Sequence, residues 1–320
     1  MNKKRTLKIT KVLIELPTWL GDTVMTTPAI ENIINHFEDI EITLIGSLVS
    51  IEALKNHPKV LKIIFLEKNY KSLYKIKTLD EFHYYFSFRE SDRSKLLKVF
   101  VKARNKYQFN RNKYHNLHQV EKYSNFINES LNINSDAGNL NIYLSSSKKK
   151  KSSNVLGINP GATYGSAKRW YPEKYAKIAI ELSKKFDIII FGGIEEQDFA
   201  SEIEEILIRN NINNYQNLAG KTSIDELINN ISILDILITG DSGPMHIAAS
   251  LKIPTVTIFG PTNDAETAQW MNPKSIIVKK NLDCQPCMKK TCPLKHHHCM
   301  KLIDTQEVID KTNLILSSDS

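Results

Sequence analysis

Short runs rich in Val, Ile and Leu alternate along the chain with stretches whose apolar residues recur at helical spacing. "KVLIEL" (11–16), "EITLIG" (41–46) and "LKIIFL" (61–66) predict strands, and "TPAIENIINHF" (27–37) and "IEALKNH" (51–57) predict helices. The pattern breaks at 145–154, "SSSKKKKSSN", a polar low-complexity run that reads as a solvated linker. A second alternating series follows: "NVLGINP" (154–160), "YAKIAIELSKKF" (175–186), "DIIIFGG" (187–193), "IDELINNI" (224–231), "DILITG" (235–240), "MHIAASLK" (245–252) and "PTVTIFG" (254–260). The expected fold class is α/β, with two Rossmann-like domains, 1–150 and 151–320, each built on a mainly parallel sheet. Two such domains facing one another would leave a central cleft lined by the carboxyl ends of their strands, where α/β proteins bind ligands.

Length and composition narrow the function classes. The 320 residues suffice for two domains with full cores. Lys and Arg outnumber Asp and Glu by 43 to 35, for a net charge of +8, and the pI is near 9.1. That balance favours anionic partners: nucleic acid, phosphorylated ligands or an acidic membrane surface. The basic start "MNKKRTLKITKVLIELP" carries only a short apolar stretch interrupted by Glu15, so it reads as a first strand and not a signal peptide. No apolar run is long enough to span a bilayer. All four cysteines fall between 284 and 299, unlike a spread disulfide framework, which predicts a cytoplasmic protein.

Three strand-to-loop junctions carry candidate chemistry. In "ITGDSGPMHIAASL" (238–251) a strand turns through Gly240-Asp241-Ser242-Gly243-Pro244 into a helix. Free N–H groups of the first helical turn suit a phosphate, with Ser242 and His246 alongside, although Asp241 or Ser242 could simply cap the helix. In "NPGATYGSAKRWYPEKYAKIA" (159–179) small residues with Lys168 suit a diphosphate, or the segment is a basic turn anchored by Trp170. Neither loop has P-loop or Gly-x-Gly-x-x-Gly spacing, which disfavours an NAD-dependent dehydrogenase. In "FGGIEEQD" (191–198) an acid could accept hydrogen bonds from a ribose, or could open the next helix. A fourth junction, "LPTWLGDTVMTTPAI" (16–30), places Asp22 where the first strand enters a helix, as a cap or as a base.

Together with the tail "CQPCMKKTCPLKHHHCM", these motifs resemble glycosyltransferase family 9, in the same order, from about residue 11 to 310. The resemblance implies the GT-B fold, with acceptor held by the first domain, nucleotide-sugar by the second, and the last helix packing back on the first. It implies inverting transfer of a heptose from ADP-heptose to the heptosyl-Kdo inner core of a lipopolysaccharide or lipooligosaccharide, with no cofactor and no catalytic metal. Carried over by position, Asp22 is the general base, and Lys168 binds the donor diphosphate with Thr163 in the same loop. Asp241, Ser242, Gly243 and His246 line the ADP-sugar site, and Glu196 is the acid after "FGG", with Glu195 fitting after a one-residue shift. A carboxylate within reach of the acceptor hydroxyl removes its proton as the new bond forms. As a cap alone, Asp22 would contribute about 1 kcal/mol.

Residues 89–122 hold ten Lys or Arg against three Asp or Glu, with Tyr107, Phe109 and Tyr114 among them. Basic residues interleaved with aromatics can bind single-stranded nucleic acid. In an acceptor domain they more naturally meet the carboxylates and phosphates of the inner core, or hold the enzyme peripherally against the inner membrane; the alternative is a solvated basic face. Candidates are Arg89, Arg93, Lys95, Lys98, Lys102, Arg104, Arg111 and Lys113. Cys284, Cys287, Cys292 and Cys299 have the count for a tetrahedral metal site, and the spacing equally suits a reduced knot or a disulfide pair. The expected partners are thus ADP-heptose and an anionic acceptor, not nucleic acid. A family member with another donor or acceptor, and a basic nucleic-acid-binding protein, stand as alternatives.

Overall fold

In the computed structural model, which describes residues 9–67, 71–146, 153–161 and 164–317, the chain divides into two units, Met1–Tyr143 and Leu144–Ser320. Most of the polar run at 145–154 (residues 147–152) lies outside the described residues.

The first unit runs β1 (Thr10–Glu15), α1 (Leu20–Met25), α2 (Thr27–His36), β2 (Ile40–Gly46), α3 (Leu48–Leu54), β3 (Val60–Phe65), α4 (Lys71–Lys77), β4 (Phe82–Ser87), α5 (Asp92–Phe100), β5 (Ala103–Gln108) and α6 (Gln119–Leu131). Its sheet has the order β3-β2-β1-β4-β5, and every pairing is parallel. Both faces are covered, so β1 reads as the continuous apolar run Val12-Leu13-Ile14, fully buried. Alternation sends Leu13, Ile45, Ile64 and Tyr85 into one cluster with Ile76 of α4 and Leu97 of α5.

The second unit runs β6 (Val155–Asn159), α7 (Pro172–Leu182), β7 (Asp187–Ile190), α8 (Gln197–Arg209), β8 (Tyr215–Asn217), α9 (Ile224–Ile231), β9 (Ile236–Gly240), α10 (Gly243–Ser250), β10 (Thr255–Phe259), α11 (Asp264–Thr267), β11 (Ser275–Lys279), α12 (His298–Lys301) and α13 (Thr305–Ser317). Its six parallel strands are ordered β11-β10-β9-β6-β7-β8. Leu156, Ile158, Ile188, Ile190, Ile236 and Ile238 pack with one face of α7 and α8 and with Val308 and Ile309 of α13. The last helix thus docks on α7, β10 and β11 of its own unit.

Both sheets reverse strand order once, between β1 and β4 in the first unit and between β6 and β9 in the second. At such a point the loops leaving two adjacent strands run in opposite directions and open a crevice at the carboxyl edge. The loops that carry the candidate residues leave these strands and their neighbours.

Candidate functional site

In the second unit the loop after β6 and the turn after β9 meet at the reversal. Lys168 ends a single 3-10 turn, Ser166–Lys168. Its Nζ donates to Asp241 Oδ2 at 2.5 Å and to the Asp241 carbonyl at 3.2 Å, and Thr262, after β10, donates to the same Oδ2 at 2.7 Å. The pair is nearly buried, with side chains 12% and 7% exposed. Two of the three ammonium N–H donors are thus used to fix Lys168 beside the strand end.

Ser242 holds the N-cap position of α10, yet its side chain makes no capping bond. Its hydroxyl instead pairs with Thr239 Oγ1 at 2.9 Å and accepts from Asn159 Nδ2 at 3.2 Å, tying the end of β6 to the end of β9. Gly243 opens α10, and His246 is buried one turn in. The amide groups of this first turn therefore stand at the edge that carries the Lys168–Asp241 pair.

Glu196 completes the edge. It is 6% exposed and accepts the Gly193 N–H at 2.8 Å, whereas Glu195 is exposed. A Cβ at Gly161 would collide with the Glu196 carboxylate. Glycine at 161 thus lets the phosphate-type loop approach the acid that follows β7. Thr163, the other expected member of that loop, lies outside the described residues.

In the first unit the N-cap of α1 is Trp19, and Asp22 sits in the first turn of the helix as its third residue. Asp22 is therefore not the N-cap residue; it is an acid in the first turn, where negative charge favours the helix. Around the same edge stand Arg89, one of the basic candidates, and three residues that sequence reasoning did not single out: Glu15, Glu90 and Tyr123. Glu15, at the end of β1, is 1% exposed and accepts from Tyr85 and Ser87 at 2.7 Å and Ser94 at 2.5 Å. Arg89 Nη1 lies 3.8 Å from its other oxygen. Glu90 accepts the Arg111 N–H at 2.9 Å, joining the loops after β4 and β5. Tyr123 of α6 is buried nearby; burial first, then the Asp22 charge, pushes its phenol well above the usual range. A carboxylate inside a run that reads as strand was the available signal for Glu15.

Several of the other basic residues of 89–122 already have partners within the first unit. Lys95, Arg104 and Lys113 pair with Asp92, Glu81 and Glu129 at the surface, and Arg93 donates to the Glu67 carbonyl. Phe109 and Tyr114, 4% and 7% exposed, stack on each other, and Phe109 packs against Tyr123 and Phe126. That removes two of the aromatic platforms on which the nucleic-acid alternative rested.

The four cysteines line one cavity of about 20 Å³ together with Ala167, His296 and His297. Among the described residues, no group of three or more His, Cys, Asp or Glu side chains is arranged to hold a metal ion. Beside Thr262 a larger cavity of about 260 Å³ opens at the ends of β10 and β11, lined by Phe259, Lys279, Lys280, Asp283 and Gln285.

The profile of glycosyltransferase family 9 (heptosyltransferase) matches residues 87–298. Lipooligosaccharide heptosyltransferase 2 of Campylobacter jejuni subsp. jejuni serotype O:2 is 42% identical over 317 residues, 96% of this chain and 99% of that protein. Lipopolysaccharide heptosyltransferase 2 of Escherichia coli K12 is 29% identical over 163 residues, 51% of this chain and 47% of that protein. The solved structure of E. coli ADP-heptose LPS heptosyltransferase II aligns with a TM-score of 0.82 at 20% identity, covering 97% of this chain and 100% of that one. E. coli heptosyltransferase WaaC with ADP aligns at 0.76 and 13% identity, covering 96% and 100%. These structural likenesses establish the GT-B fold. With its profile over most of the chain and a relative similar along nearly the whole length, the protein belongs to glycosyltransferase family 9, the heptosyltransferases.

Proposed function

We propose that this enzyme transfers L-glycero-D-manno-heptose from ADP-heptose to the heptosyl residue of a Kdo-containing inner core of lipopolysaccharide or lipooligosaccharide, inverting the anomeric carbon. The observation that carries this reading is the edge formed by Lys168, Asp241, Ser242 and Glu196 at the strand-order reversal of the second sheet. The near full-length likeness to lipooligosaccharide heptosyltransferases supports the acceptor class.

In this reading the acceptor hydroxyl attacks the anomeric carbon, the bond to the ADP oxygen breaks, and the hydroxyl proton passes to Asp22. The third N–H of Lys168 and the amides opening α10 take up the charge that develops on ADP. Glu196 accepts from the ribose hydroxyls. Because these groups supply the stabilisation, the reaction proceeds without a catalytic metal, and turnover is expected to survive exhaustive EDTA treatment. The reaction belongs in the cytoplasm, with peripheral contact to the anionic inner-membrane face. Exposed Tyr74, Leu96 and Val99 beside Lys75 and Lys95 support that contact. Among the described residues no helix is long and apolar enough to cross a membrane.

The test is ADP release from ADP-heptose with and without a core acceptor bearing one heptose. Release should depend on acceptor and fall by about a hundredfold or more in Asp22→Asn, with ADP affinity unchanged. Equal turnover by the variant would overturn the base assignment. Absence of ADP-heptose binding would overturn the donor.

A further inference from the structure

The triple histidine of the tail has no part in the reaction described above, yet one of the three contacts the loop that carries Lys168. We infer that His297 is a positioning residue for Lys168, and hence for the donor diphosphate; this rests on the reading of Lys168 as the diphosphate contact.

Among the described residues of the Lys168 loop, the regular structure is one 3-10 turn, Ser166–Lys168. It is held from outside by the cysteine-rich segment. The Ala167 N–H donates to the Lys290 carbonyl at 3.0 Å, and the Tyr164 hydroxyl donates to the Met288 carbonyl at 3.0 Å. Gly165 lies so close to the Lys290 backbone that a Cβ there would collide with it. Trp170 Nε1 donates to the Met300 carbonyl at 3.1 Å.

His297 closes this arrangement. Its Nε2 is 2.9 Å from the Ala167 carbonyl, and its Nδ1 is 3.1 Å from the Tyr171 hydroxyl. A carbonyl can only accept, so the ring carries its proton on Nε2, and Nδ1 accepts from the Tyr171 O–H. The Ala167 carbonyl and the Lys168 N–H belong to one rigid peptide plane. That N–H donates to the Gly165 carbonyl at 3.2 Å. The plane from which the Lys168 side chain departs is therefore fixed at both ends, by Gly165 on one side and His297 on the other. His297 itself adopts φ 52°, in the left-handed region that few side chains other than Asn, Asp and His favour. The backbone is held in an unfavourable conformation while the ring makes two bonds to the loop.

Loss of the imidazole frees the 167–168 plane and lets Lys168 leave its place against Asp241. The expected effect in His297→Ala is a roughly three- to tenfold weaker Kd for ADP, the range of one or two hydrogen bonds, with a matching rise in KM for ADP-heptose. His297→Gln, whose Nε2 can still donate to the Ala167 carbonyl, should recover most of the affinity. Tyr171→Phe, which deletes one hydroxyl and keeps the ring, should weaken ADP in the same direction and serves if His297→Ala folds poorly.

The experiment is isothermal titration of the full-length protein with ADP, combined with steady-state kinetics, in a double-mutant cycle with Lys168→Ala. If His297 acts through Lys168, adding His297→Ala to Lys168→Ala changes the ADP Kd by less than twofold. Additive losses, or an unchanged ADP Kd in folded His297→Ala and Tyr171→Phe, would overturn the inference while leaving the donor reading intact. Wild type that binds no ADP, or Lys168→Ala that binds as wild type does, would overturn the donor reading and this role with it.

Discussion

The Glu196 carboxylate has room only because residue 161 lacks a side chain. Gly161→Ala should push the carboxylate off the Gly193 N–H and weaken ADP binding by about tenfold, with a stability loss of about 1–3 kcal/mol from overpacking. Titration calorimetry and a urea melt check both, and the double variant with Glu196→Ala should recover the stability but not the affinity. Wild-type affinity and stability in Gly161→Ala would show that the two loops do not meet as described. At the same scale, Cys299 is 7% exposed, and burial, reinforced by the other three thiols, pushes its pKa up to about 11. Thiolate is the reactive form. At pH 8 iodoacetamide should therefore label Cys284, Cys287 and Cys292 well before Cys299, as peptide mapping by mass spectrometry would reveal.

Among the elements, boundaries moved where a local hydrogen bond outweighed the apolar pattern. The helix expected at 51–57 begins as α3 at Leu48 because the Ser47 hydroxyl accepts the Ser50 N–H. The aromatic-rich β4, Phe82–Ser87, escaped notice because it lacks the Val and Ile signature of its neighbours. Elements of the first unit are also clamped by a carboxylate. Glu31 of α2 accepts from His57, after α3, at 3.1 Å and from Asn141 at 2.8 Å. The His57 bond chiefly, against opposing desolvation, holds the Glu31 pKa below its ordinary 4.5. A carboxylate with a depressed folded pKa contributes stability that is present above its unfolded value and lost as pH falls through the folded one. Glu31→Gln should thus be less stable than wild type by about 1 kcal/mol at pH 7. The gap should close below pH 4.5. Paired urea melts at pH 7 and pH 3.5 measure it, and a gap that widened in acid would contradict the bond.

For the whole molecule, each unit has its own parallel sheet and its own core. If the donor site lies in the second unit alone, ADP should slow amide exchange in peptides covering 164–169, 193–197 and 241–247, and leave 16–25 unchanged. Hydrogen exchange with mass spectrometry on the intact chain reads this directly, and ligand-linked protection grows with the logarithm of free ADP above Kd. Protection centred on 16–25 would move the nucleotide to the first unit.

Strand–helix alternation, the division into two α/β units and the loops that bear Lys168, Glu196 and Asp241 were all written in local pattern, because strand ends and glycine-rich turns are set by neighbours in sequence. Tertiary structure decided what those loops do to one another. Lys168 and Asp241 are 73 residues apart and meet only because β6 and β9 are adjacent in the sheet, an order that no local periodicity encodes. Glu15 became a buried anchor, and Phe109 and Tyr114 became core, for the same reason: burial is fixed by what packs against a residue. The tail's histidine likewise reached the Lys168 loop, 130 residues from Ala167, because folding placed the cysteine-rich segment along the outside of that loop.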